Sequence, residues 1–131
     1  NRHDAYDLAL AVMDGVCHLL RKNCAQLRLS GTQIERIIAT GGGAKSALWC
    51  QMQADITGLP VCIPAEKEAA LLGAAMVGAV ACGVFSSLAV AVAKTVRFSG
   101  EYLPASQPND ERRHRQFLAL YDAMIQTQRM S

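Results

Sequence analysis

The run Ile37-Ile38-Ala39-Thr40-Gly41-Gly42-Gly43-Ala44-Lys45-Ser46 is the part of this chain best suited to hold a ligand. A β-branched stretch delivers three glycines to the start of a helical pattern. Glycine admits φ > 0 and leaves the main chain bare, so a ligand can approach without meeting a Cβ. The N–H groups of a helix's first turn, together with the positive end of its dipole, favour an anion. A phosphate or an adenosine phosphate suits that chemistry. Ser46 offers a hydroxyl and Lys45 a charge. The competing reading is a plain glycine-rich turn with Lys45 pointing to water. A Walker A loop needs G-x-x-x-x-G-K-[ST], which is absent. The dinucleotide fingerprint G-x-G-x-x-G is met by Gly41 and Gly43 only. Ser46 stands at its third glycine, and Ile63-Pro64-Ala65 ends the next strand where an acid is needed.

Other reactive side chains have plainer explanations. Asp14 lies seven residues from both Asp7 and Arg21, on the polar strip of the first helix, and reads as a surface or inter-helix ion pair. His18, on the same strip, reads as a hydrogen-bonded or solvated ring rather than a ligand. Arg112-Arg113-His114-Arg115 is a basic knot that reads as a solvated face. The cysteines at 17, 24, 50, 62 and 82 are odd in number, lack C-x-x-C spacing and sit among apolar neighbours. They suit buried, reduced thiols better than disulfides or zinc, and a cytoplasmic location.

The elements that must position the glycine run follow from periodicity. Asp4 to about Leu27 carries two apolar stripes, one through Leu8, Val12, Gly15, Val16 and Leu19, the other through Tyr6, Leu10, Met13, Cys17, Leu20 and Cys24. So wide an apolar arc predicts a helix buried on most sides. Residues 34–40 read as a strand, Ala44 to Ile56 as a helix stopped by Gly58-Leu59-Pro60, and Val61-Cys62-Ile63 as a second strand. That order is the βαβ unit of a parallel sheet. From Ala69 to Ala93 no residue is charged. Its Ala and Gly content, with Gly83 and Ser86-Ser87 as stop and new cap, argues for helices packed closely on a sheet rather than a membrane span. Arg97 to Asp110 reads as a surface loop. A last helix, 109–129, presents Phe117, Leu118, Leu120, Tyr121, Met124 and Ile125 as its apolar side.

Three blocks in order resemble the C-terminal domain of the FGGY carbohydrate kinases. One runs from Gly41 through Trp49 to Gly58-Leu59-Pro60-Val61, with Gln51, Ala54 and Asp55. The second is Glu68 with Leu72-Gly73-Ala74-Ala75. The third, Asp7-Leu8-Ala9-Leu10-Ala11-Val12-Met13-Asp14-Gly15, resembles the closing half of a family signature. The tail with Phe117, Leu120 and Tyr121 is similar to the family's last helix, so the resemblance extends from about Asp4 to about Tyr121. It implies an α/β fold: a partial actin-like ATPase (ribonuclease H-like) lobe, with a short parallel βαβ unit packed by several helices. It implies transfer of the γ-phosphoryl of MgATP to a sugar hydroxyl. Gly41, Gly42, Gly43, Ala44, Lys45 and Ser46 would contact the nucleotide. Ser46 would lie near the adenine, where the related glycerol kinases carry an asparagine. Asp55 and Glu68 also match family positions and read as architecture, at a helix end and a helix start. The run Glu68-Ala69-Ala70-Leu71-Leu72-Gly73 looks most like pentulose kinases of the ribulokinase and xylulokinase kind.

On that resemblance, residues 1–131 are the C-terminal portion of a nucleotide-binding domain. The catalytic aspartate, the magnesium ligands and most of the sugar site are expected upstream of Asn1. ATP and a sugar are then the partners. Unpaired sheet edges and apolar faces would drive the piece to self-associate. A net charge of +2 is too small to imply a nucleic acid or an anionic membrane, and 51% hydrophobic residues exclude a disordered segment. Two other readings stay open from the residues alone: a stand-alone nucleotide-binding or interaction module, and a Rossmann oxidoreductase domain.

Overall fold

The computed structural model describes residues 3–105 and 110–129. Helix α1 spans Ala5–Leu29. Strand β1 is Ile37–Ile38, followed by a 3₁₀ turn at Gly43–Lys45 and helix α2 at Ala47–Thr57. Then come β2 Val61–Pro64, α3 Ala69–Ala81, α4 Leu88–Thr95, β3 Phe98–Tyr102 and α5 Asp110–Arg129. The sheet has the order β1-β2-β3. β1 and β2 are parallel, pairing Ile37 with Val61 and Ile38 with Cys62, so the βαβ expectation holds. The strand itself is shorter than the expected 34–40.

The core lies between the sheet and α2. Cys50, Ala54 and Val61 are fully buried, and Ile37, Ala39, Ile63 and Tyr102 pack on them. α2 is fixed at both ends. Ser46 Oγ accepts the Trp49 N–H at 3.2 Å, and Gly58 closes the helix at φ +68°, a conformation open to glycine. α1 packs on the other side of α2, and α5 packs on α1. A capping box starts α1: Asp4 accepts from the Tyr6 and Asp7 amides, and Asp7 accepts from the Asp4 amide.

Several expectations are corrected. β3 occupies part of the segment read as a surface loop. It pairs antiparallel with β2, Tyr102 opposite Val61, with an irregularity at Ile63/Pro64. α1 is not buried on most sides: Leu8, Val12 and Val16 are exposed, as are Tyr6 and Leu10. The later part of the second stripe, including Cys17 and Cys24, is covered, and Leu19 of the first stripe is half-buried. α3 has no buried residue and packs chiefly on α4 rather than on the sheet. The uncharged stretch breaks where expected, with Gly83 at φ +75° and Ser87 Oγ capping the Val90 N–H. Among the described residues no helix is long and apolar enough to cross a membrane. On α5, Phe117, Leu118, Tyr121 and Ile125 face inward, whereas Leu120 and Met124 are exposed. Asn109 and Pro108 fall outside the described residues. Four cysteines are buried thiols and Cys82 is exposed.

Two sequence-flagged polar residues are drawn into packing. His18 is buried, and so is His114 from the basic knot. Asp14 makes the expected inter-helix ion pair, 3.0 Å from Arg113.

Candidate nucleotide-binding cleft

The parallel pair β1–β2 ends at a cleft of about 320 Å³. Its walls are the turn after β1, at Thr40, Gly41, Ala44 and Lys45, and the segment after β2, at Pro64 to Glu68. Clefts outside the carboxyl ends of parallel strands are where α/β folds hold ligands. Strand pairing fixes the two walls: Ala39 N–H donates to Cys62 O at 3.0 Å, and Ala65 N–H to Arg97 O at 2.9 Å. Ser99, from β3, forms the floor, its hydroxyl within 3.3 Å of the carbonyls of Ile63 and Pro64.

The three glycines have separable roles. Gly41 holds φ +73°, which a β-carbon resists. A Cβ on Gly43 would lie 3.2 Å from Trp49 Nε1 and 3.3 Å from its Cδ1, so any larger residue there must shift the indole by a few tenths of an ångström. Gly42 has φ −63° and open space where a Cβ would stand. Neither torsion nor packing demands glycine there. The turn then tightens through Lys45 N–H to Gly42 O and Ser46 N–H to Gly43 O. The Cys50 thiol lies 3.8 Å from the Gly43 carbonyl and 3.9 Å from that of Ala44, and burial pushes its pKa up.

Of the expected site residues, Gly41, Ala44 and Lys45 line the cleft, while Gly42, Gly43 and Ser46 lie on the turn beside it. Ser46 oxygen is engaged as the α2 cap, leaving its proton to donate. The helix begins at Ala47, so a 3₁₀ turn stands between the glycines and α2 where a direct glycine-to-helix start was expected. Lys67, Glu66 and Ser99 line the cleft without having been singled out from the sequence. The rule that ligands meet the carboxyl ends of both parallel strands points to Glu66 and Lys67. The two lysines and two glutamates balance in charge. Glu68 occupies the cap position of α3 without a side-chain cap bond, and its amide donates to Glu66 Oε1 at 3.0 Å. Asp55 is architectural: its Oδ1 accepts from Gln51 at 2.7 Å and from the Ala105 N–H at 2.8 Å.

Among the described residues no cluster of three or more His, Cys, Asp or Glu side chains is placed to hold a metal ion. Glu66 and Glu68 alone do not make a magnesium site.

Residues 1–82 match the model of the C-terminal domain of the FGGY family of carbohydrate kinases. An autoinducer-2 kinase from Enterobacter sp. (strain 638) is 42% identical over 105 residues, covering 79% of this chain and 18% of that protein. The chain thus spans less than a fifth of that relative's length. A xylulose kinase from Rhodospirillum rubrum superposes with a TM-score of 0.79 at 28% identity, over 96% of this chain and 26% of that one. A xyloylose kinase from Brucella ovis gives 0.84 at 25% identity, over 97% and 27%. The sheet, the turn and the flanking helices therefore form part of the actin-like ATPase fold of such kinases. The chain belongs to the FGGY family of carbohydrate kinases, to whose C-terminal domain its first 82 residues correspond.

Proposed function

We propose that the protein containing this chain is an ATP-dependent carbohydrate kinase, and that residues 1–131 are the C-terminal portion of its nucleotide-binding lobe. The observation that carries the reading is the cleft at the carboxyl ends of β1 and β2, walled by Gly41 and Lys45, in a chain of this family. Gly41, Gly42, Gly43, Ala44, Lys45 and Ser46 contact the adenosine and phosphates. Gly42 supplies bare backbone, Lys45 a cation and Ser46 a hydroxyl proton. Phosphoryl transfer also needs a metal clamp and a group to orient the attacking hydroxyl. These, with most of the acceptor site, belong to the rest of a protein as long as the relatives.

The acceptor is a sugar or a sugar-like alcohol. Xylulose or ribulose is the acceptor expected from the sequence, and the superposed xylulose kinase supports it. Autoinducer-2 is the second reading, favoured by the higher identity of 42% to a kinase named for it. A coupled ADP-release assay of the full-length protein with xylulose, ribulose and autoinducer-2 distinguishes them. ATP-dependent turnover with one acceptor is expected, and none from the 131-residue chain alone. No ATP-dependent turnover with any carbohydrate would overturn the kinase reading. Turnover by the chain alone would overturn the division of labour.

A further inference from the structure

The buried histidine pair between α1 and α5 plays no part in the nucleotide cleft. His18 and His114 are 2% and 7% exposed, and their Nδ1 atoms lie 3.2 Å apart. A hydrogen bond between two imidazole Nδ1 atoms needs a proton on one and a lone pair on the other. Phe117 stacks near both rings, at centroid distances of 5.6 and 6.4 Å.

We propose that this pair is a proton-sensitive clasp that docks α5 on α1 while at least one ring is neutral, and releases it when both are protonated. One added proton is tolerated, because a singly charged pair keeps its Nδ1–H···Nδ1 bond and lies near a carboxylate. Asp14 Oδ2 is 3.5 Å from His18 Nε2. A second proton sets N–H against N–H and two cations side by side in a site with little water. The neighbouring charges among the described residues are engaged with other groups. On α1, Asp14 is shared with Arg113 at 3.0 Å, Arg21 is paired with Glu111 of α5, and Lys22 sits over the Tyr121 ring. Cys17, its pKa pushed up to about 11 by burial and by Asp14, stays neutral. On α5, Arg115 acts on Glu111 rather than on the ring pair. On α2, which also packs on α1, Asp55 is bound by Gln51 and the Ala105 amide, and the Cys50 thiol faces the Gly43 and Ala44 carbonyls.

Burial, then Arg21 and His18, holds His114 below its ordinary value of 6.5. A histidine whose pKa is lowered on docking takes up its proton more readily when undocked. Docking is therefore complete above about pH 6.5 and weakens as pH falls from there towards the docked value.

Amide hydrogen exchange of the intact protein tests this at about pH 7.5 and about pH 5.5, corrected for intrinsic rates. Expected is a loss of α5 protection of about tenfold or more at the lower pH, relative to α2. His114→Phe keeps stacking and removes the titration, so its α5 should stay protected at both pH values. Unchanged α5 protection in the wild type, or the same loss in His114→Phe, would overturn the clasp. Should His114→Phe not fold, the Cε1–H signals of the two wild-type rings decide. Two separated, coupled steps are expected, and independent titration of both rings near pH 6.5 refutes the proposal.

Discussion

Gly41, Gly42 and Gly43 are chemically identical and bound by different constraints, so alanine at each position should fail differently. Gly41→Ala must hold an L-residue at φ +73°, which costs about 1–2 kcal/mol. Gly43→Ala pushes a methyl against the half-buried Trp49 indole, which must shift by a few tenths of an ångström, so it should cost more than Gly42→Ala, by about 1 kcal/mol. Gly42→Ala meets open space at a helical torsion, so stability should change by no more than about 0.5 kcal/mol. If ATP lies against this turn, Gly42→Ala is the variant that loses nucleotide affinity with its melting temperature intact. Calorimetric melting and nucleotide titration of the three variants in the full-length protein check this. Equal affinity in Gly42→Ala and wild type would place the ligand elsewhere.

Helix α2 carries much of the fold, lying between the sheet and α1 with its start tied to the glycine turn. Its cap is one hydroxyl, so Ser46→Ala should cost about 1 kcal/mol, read as a melting temperature lower by about 4 °C. Ser46→Asp, which also caps, should restore most of it. The signals that ended α2 were plain in the sequence, because Gly58 and Pro60 punctuate by backbone chemistry alone. The two parallel strands were visible as β-branched runs for the same local reason. β3 was not: Phe98-Ser99-Gly100-Glu101-Tyr102 has a glycine at its centre, and its strand character comes from pairing with β2. The burial of α3 is not legible in the sequence, because a helix apolar all round names no face, and its partner is α4. The cleft was half visible. The glycine wall has a motif, whereas Glu66 and Lys67 matter only through the parallel pairing of Ile37 with Val61. The pairing of His18 with His114 is a tertiary contact across most of the chain, which no local pattern encodes.

The molecule as a whole is unevenly covered. Leu8, Val12 and Val16 are 69%, 62% and 47% exposed along one face of α1, and Leu71 and Val77 are exposed on α3. Burying one such side chain is worth about 1.5–3 kcal/mol, so a stripe of three favours association. The 131-residue chain should show concentration-dependent self-association in sedimentation velocity, reduced by Leu8→Glu with Val12→Glu. A monomer at every concentration would contradict this. The chain has a single tryptophan, and it lies against Gly43 beside the cleft at the strand ends. Its indole emission thus comes from one place only, and fluorescence of the unlabelled chain reads the state of the glycine turn without contribution from any other tryptophan.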